Sequence, residues 1–282
     1  MQCVHTKSEL RQALALQDQK VRVLVPTMGA LHAGHASLMR QARAIAGKDG
    51  LVVATIFLNP VQFDNAGDLQ AYPSAPESDL SLCEQCGVDL VFMPQADEMY
   101  ASDRSMMLEE QYLSTVLCGA KRPGHFAGVC LVVHKLFNLV QPTDAVFGKK
   151  DYQQLAILRR MVRDMDIPVT IHGAEIVREA DGLALSSRNV RLSAAHRAAA
   201  PMIQQSLQLA KSQFEQGMDA EAICAEVQFG LELIVGVQVD YVSIVDATDL
   251  HELKSDSGLA LLAVAAYFGE VRLIDNIEMQ RA

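Results

Sequence analysis

The segment VRVLVPTMGALHAGHASLM, residues 21–39, decides the fold. It opens on a short apolar run at 21–25, rich in β-branched residues and long enough for one buried strand. Pro26 has no N–H to donate to a ladder and is expected to close that strand. Thr27, Met28, Gly29, Ala30 and Leu31 form a small-residue connector. From Gly34 and His35 onward the spacing of Leu38, Ala42 and Ile45 predicts an amphipathic helix. A helix start carries unpaired N–H groups and the positive end of the helix dipole, so it favours a phosphate. Two imidazoles at the same turn, His32 and His35, can donate hydrogen bonds to phosphoryl oxygens as charge builds there. Taken alone, a histidine near a helix is usually a surface or satisfied core residue, and a single glycine is a turn. Two histidines three apart around Gly34, directly after a buried strand, point instead to nucleotide handling.

Outward from this stretch, the totals bound the answer. A chain of 282 residues, half of them hydrophobic, is long enough for a large core and two domains. The formal net charge of -10 argues against a protein that tracks a nucleic-acid backbone, although a local cluster of cations can still hold a small anion. The six cysteines are scattered. Cys83 and Cys86 form a CxxC, but no second pair stands at zinc-ribbon spacing, and the pair reads as two small apolar residues on a buried helix face. The first ten residues hold no apolar signal region, and the longest apolar run, 259–268, is too short to span a bilayer. A cytoplasmic, reducing setting without membrane contact is expected.

Taken in order, Ser8 is placed to cap a first helix at 9–17. A second buried strand is expected at 51–57, a helix at 77–86, and a third strand at 88–92. A helix follows at 129–140, a strand at 145–147 and a helix at 152–164, with strand-like pieces at 169–171 and 176–177. This alternation predicts an α/β fold, a Rossmann-like, doubly wound parallel sheet that takes ligands at the carboxyl ends of its strands. The loops at 26–35 and 58–64 both follow a strand and should open on one crevice. Lys121, Arg122 and His125 form a basic cluster before the long helix, read either as a solvated turn or as an anion site. From 193 onward the pattern changes to helices and then to strands at 238–245, 259–267 and 271–275 without crossover helices, which predicts an antiparallel α+β unit. The expected division is a catalytic domain at 1–176 and a smaller C-terminal α+β lid domain at 177–282.

The spacing His32-Ala33-Gly34-His35 resembles the HxGH signature of the nucleotidyltransferase superfamily, which includes the class I aminoacyl-tRNA synthetases. Together with that signature, the stretches PTMGALHAGH (26–35), FLNPVQF (57–63), RPGHFAGV (122–129), KLFNLVQP (135–142), FGKKDYQQL (147–155) and DGLALSSRN (181–189) resemble the pantoate–β-alanine ligase (pantothenate synthetase) family. The resemblance implies a two-step reaction. The carboxylate of pantoate attacks the α-phosphate of ATP, with Mg2+, to give pantoyl-adenylate and pyrophosphate. The amine of β-alanine then displaces AMP. It also implies roles by position. Met28, Gly29, Ala30, Leu31, His32, Ala33, Gly34 and His35 would bind ATP, with His35 and His32 as donors to the phosphates. Gln62 would hold pantoate and lie near β-alanine, and Gln154 would hold pantoate. Gly148, Lys149, Lys150 and Asp151 would contact the nucleotide, Lys150 on the phosphates and Asp151 on the ribose. Val177 would touch adenine through its backbone. Leu185, Ser186, Ser187 and Arg188 would close over the triphosphate. Asp79 stands where the family has an acidic residue near the metal, here beside Ser78. A homodimer is implied as well.

Three positions depart from the family pattern. Ala33 stands where an acidic residue is common, Lys149 where Glu is common, and Ser74-Ala75 where Arg-Thr is usual. Two other functions compete with this one. Another HxGH nucleotidyltransferase would share the first motif only. A nucleotide-sensing module would have no need of His32, His35, Lys150 and Arg188 together.

Overall fold

The computed structural model describes residues 1–17, 21–64, 66–253 and 258–281. The chain divides into two compact units. The first comprises Met1–Glu110, Arg122–Lys149 and Ile157–Glu175; the second comprises Gln111–Lys121, Lys150–Ala156 and Ile176–Ala282.

The first unit holds six strands: β1 (Gln2–Val4), β2 (Arg22–Thr27), β3 (Leu51–Ile56), β4 (Leu90–Phe92), β5 (Asp144–Gly148) and β6 (Thr170–Ala174). They lie in the order β1-β4-β3-β2-β5-β6, and every neighbouring pair is parallel. The chain winds outward from β2 in one direction through β3 and β4, and in the other through β5 and β6. The order therefore reverses between β2 and β5, where doubly wound sheets hold their ligands. All six residues of β3 are buried, as a strand covered on both faces requires. The helix Ala33–Ala46 covers one face through Ala36, Met39, Ala42 and Ala46. The helix His125–Val140 is apolar nearly all round and buries eleven residues, the pattern of a helix inside a core.

Pro26 does not end β2, which continues to Thr27. The reason is directional. Successive residues of a strand point their backbone groups to opposite neighbours, and here Arg22 faces β5 while Val21 and Thr27 face β3. Pro26 thus faces the β5 side, where the pairing has already stopped at Leu24, so its missing donor leaves no ladder bond unmade. The first helix, Lys7–Ala15, is capped by Thr6 rather than Ser8, with Glu9 completing a capping box. The three residues of β1 gave no sequence signal, and 176–177 is not a strand; the nearby Arg178 forms a single bridge with Ala184.

The second unit contains β7 (Val237–Asp246), β8 (Ala260–Phe268) and β9 (Val271–Met279), an antiparallel sheet in that order. The helices Met202–Glu215 and Ala220–Glu232 bury Leu207, Phe214, Ile223 and Leu231 in one cluster with Leu262, Val264 and Phe268. Ser193 and Asp219 cap helices through their side chains, as Ser and Asp commonly do.

One close approach in the first unit makes a test. Gly128 lies in the helix His125–Val140 against the 3-10 turn Pro60–Gln62, and a Cβ there would sit 2.6 Å from the Gln62 Cα and the Val61 oxygen. Those are backbone atoms and cannot swing aside. Gly128→Ala is expected to lower unfolding stability by about 1–3 kcal/mol, read by denaturant titration. An unchanged midpoint would refute the close packing of helix and turn.

Candidate active site

In the first unit the loop after β2 carries the two histidines into the helix Ala33–Ala46. His32 is the N-cap: its ring Nδ1 accepts the Gly34 N–H at 3.1 Å. His35 at the third helical position accepts the His32 N–H through its own Nδ1 at 3.3 Å. This is a capping box built from two imidazoles in place of Ser and Glu. The consequence is chemical. A nitrogen that accepts a backbone N–H carries no proton, so each neutral ring holds its proton on Nε2. The ring centroids stand 4.2 Å apart. Two Nε2–H donors are thereby fixed side by side at a helix N-terminus, beside the strand-order reversal.

The loop after β3 supplies Gln62, and a hydrogen-bond chain sets which end of its amide faces which way. Burial pushes the Tyr100 hydroxyl up to about 12, against the opposing charge of Arg104, so it stays protonated and donates to Asn59 Oδ1 at 2.8 Å. Asn59 Oδ1 also accepts the Val61 N–H, at 3.3 Å. Asn59 Nδ2 is then the donor to Gln62 Oε1 at 2.9 Å and to the Gly128 carbonyl at 3.1 Å. With its oxygen engaged, Gln62 points Nε2 to the Met28 sulfur, 3.1 Å away. The loops at 26–35 and 58–64 do therefore meet. Tyr100 and Asn59, which carried no role in the sequence, orient the amide that does.

Of Lys121, Arg122 and His125, each has partners within its own unit. Arg122 donates to Asp64 at 3.1 Å and contacts His125, whose Nδ1 lies 2.7 Å from the Gln62 carbonyl oxygen. Burial works against ionisation of Asp64, but the hydrogen bond and charge of Arg122 outweigh it and hold the carboxyl below its ordinary range. Lys121 belongs to the second unit and pairs with Asp240 at 3.8 Å. Gly148 ends β5, and Lys149 pairs with Glu175 at 2.7 Å. Asp79 is buried, with both oxygens on the backbone of the loop after β2. Cys83 and Cys86 are buried, and burial above all pushes the Cys83 thiol up to about 12, in keeping with a core role.

In the second unit, Lys150 and Asp151 close the 3-10 turn Lys149–Asp151, and the Lys150 carbonyl accepts from Asn276 at 3.0 Å. Gln154 is half-buried in the first turn of the helix Tyr152–Asp164. The segment 177–189 is a tight, hydrogen-bonded excursion. Leu185 N–H donates to the Val177 carbonyl at 3.0 Å, Asn189 Nδ2 to the Ala184 carbonyl at 3.1 Å, and Arg188 N–H to the Ser186 hydroxyl at 3.2 Å. Arg197 ties Glu179 and Asp181 at 2.5 Å each, and Arg178 forks onto the buried Asp275. Ser187 sits between these anchors.

These features define a doubly wound α/β protein with a histidine-capped helix start after β2. Comparison with known proteins then specifies it: the family model of pantoate-beta-alanine ligase matches residues 2–278, and the chain belongs to that family. It is 56% identical to the pantothenate synthetase of Akkermansia muciniphila over 99% of this chain and 100% of that one. The crystal structure of pantothenate synthetase from Thermus thermophilus superposes with a TM-score of 0.93 at 42% identity, covering 99% of this chain and 100% of that one. The pantoate-beta-alanine ligase of Francisella tularensis, crystallised as a complex with beta-gamma ATP and beta-alanine, superposes with a TM-score of 0.80 at 30% identity, covering 98% and 97%.

The cap separates structure from chemistry experimentally. His32→Ala should cost about 1 kcal/mol of stability, while His32→Asn, whose side chain caps well, should restore it. Thermal unfolding of the two variants decides; equal loss in both would mean that the ring does not cap the helix.

Proposed function

We propose that this chain makes pantothenate from pantoate and β-alanine at the expense of ATP. In the first step a pantoate carboxylate oxygen forms a bond to the α-phosphorus, and the bond to pyrophosphate breaks. In the second the β-alanine nitrogen bonds to the acyl carbon, AMP leaves with the oxygen, and the amine gives up a proton. A carboxylate is a poor acyl donor, and adenylation turns its oxygen into part of a good leaving group. The observation that carries this is the imidazole capping box, with two fixed Nε2–H donors at a helix start. Donors held in place before charge develops need no reorganisation when it does.

The remaining roles extend this proposal. The segment 28–35 binds ATP, with His35 and His32 donating to the phosphates. Gln62, its amide oriented by Asn59 with Nε2 beside Met28, binds pantoate and neighbours β-alanine; Gln154 also binds pantoate. Gly148, Lys149, Lys150 and Asp151 contact the nucleotide, Lys150 at the phosphates. Val177 meets adenine, and Leu185, Ser186, Ser187 and Arg188 bind the triphosphate, with Arg188 as a bidentate cation. The pairing of Lys149 with Glu175 offsets the charge that Lys149 brings to a position where Glu is common. Mg2+ bound with ATP would neutralise charge at the phosphates that His32, His35 and Lys150 contact. The six free cysteines fit a reducing cytoplasm. The homodimer rests on the family resemblance, as does a lid role for residues 177–282.

Labelled pyrophosphate is expected to exchange into ATP with pantoate present and β-alanine absent. Exchange that requires β-alanine, or that needs no carboxylic acid, would overturn the two-step assignment and point to a different nucleotidyltransferase.

His35→Ala is expected to lower kcat by about 10²–10³ with little change in KM for ATP, because its donor acts mainly on the developing charge. A folded variant that turns over at the normal rate would remove His35 from the reaction. Arg188→Ala should weaken the exchange reaction, and unaltered exchange would remove Arg188 from triphosphate binding.

A further inference from the structure

Asp79 sits in the first turn of the helix Pro76–Gln85 with its own N–H bonded to the Ala75 carbonyl at 2.9 Å, so its carboxylate stands on a rigid element near the positive end of the helix dipole. The residue is 2% exposed. Its two oxygens accept two different backbone donors, the Ala30 N–H at 2.9 Å and the Leu31 N–H at 2.7 Å. Neither amide has another route to satisfaction in regular structure: β2 has ended at Thr27 and the helix does not begin until Ala33.

The backbone between those elements is the strained part of the loop. Gly29 has φ +87° and Ala30 φ +50°, and left-handed backbone is unfavourable for a residue with a Cβ. Such a turn persists only where its surroundings over-determine it. Charge-assisted bonds from two successive amides to one buried carboxylate do that, because they fix two adjoining peptide planes at once. The fit is close: a Cβ on Gly29 would lie 3.2 Å from the Asp79 carboxylate and 3.2 Å from Ile56. The clamped turn is followed immediately by His32, whose own N–H must reach His35 Nδ1 for the imidazole cap to close.

We propose that Asp79 is a positioning residue: its carboxylate clamps the Ala30 and Leu31 amides and so sets the direction in which the His32–His35 cap presents its two Nε2–H donors. What those donors act on rests on the proposed function; the clamp itself does not. This role differs from that of a metal ligand, which the family pattern implied for the position. Both oxygens are engaged with the loop, and the neighbouring Ser78 brings no second carboxylate.

The test uses Asp79→Asn in the whole chain. One end of the amide can still accept an N–H, but the other presents its own N–H to a backbone donor. The expected result is a loss of about 100-fold in pyrophosphate exchange, the scale of a small misplacement of catalytic groups, at an unchanged Mg2+ requirement. Faster hydrogen exchange at the Ala30 and Leu31 amides should accompany it. Full activity would overturn the proposal. So would a Mg2+ requirement raised roughly 10–100-fold and met by excess ion, which is how weakening a metal site behaves. If the variant does not fold, the wild-type protein decides: slowed exchange at both amides supports the clamp, and free exchange at either refutes it. Should wild-type protein fail to exchange pyrophosphate at all, the proposed function falls, while the amide exchange still reports on the clamp separately.

Discussion

Backbone donors between a buried strand and a helix lose their regular partners, and the first unit is organised around how the half-buried loop after β2 supplies new ones. Between Thr27 and the first turn of the helix, successive N–H groups go to the Asp79 carboxylate, to His35 Nδ1 and to His32 Nδ1. An amide left unpaired away from water costs about 1–3 kcal/mol, and here a carboxylate and two imidazoles cover four half-buried ones. The same bonds choose the tautomer of both histidines. Structural satisfaction and chemical readiness are therefore one arrangement.

A second chain of bonds follows the same logic on the neighbouring loop. An amide side chain is ambiguous in orientation until its partners are known. The Val61 N–H and the Gly128 carbonyl remove the ambiguity for Asn59, and Asn59 removes it for Gln62. Gly128 contributes by absence, letting the turn that carries Gln62 lie directly on the long helix. In the second unit the polar segment 177–189 is held by Arg178, Arg197 and Asn189, so its serines and Arg188 are displayed on a braced excursion of the chain.

The alternation of buried strand and amphipathic helix was legible along the first unit, because period and composition are local properties. So was the antiparallel character of the last three strands, which have no crossover between them. The places where local reading failed share a cause. Pro26 ends a strand only if its missing donor is needed, and that depends on which neighbour it faces. Histidine is not a usual helix cap, so the cap at His32 was invisible although both rings were singled out. Tyr100 lies 41 residues from Asn59, and Asp79 lies 48 from Leu31; such partners are set by tertiary packing and leave no spacing to read. The basic stretch around Lys121 and Arg122 looked like one cluster, yet its members pair with different acids.

The site depends on the loop after β2 holding Nδ1 of His32 and of His35 as backbone acceptors, with the ring proton on Nε2. Long-range proton–nitrogen correlation spectra of 15N-histidine-labelled protein, recorded at neutral pH without nucleotide, test this directly. Both residues are expected to show an unprotonated Nδ1 and a protonated Nε2. A proton on Nδ1 of either ring in the intact protein would contradict it, since that nitrogen could then accept no backbone N–H and the cap could not exist as described.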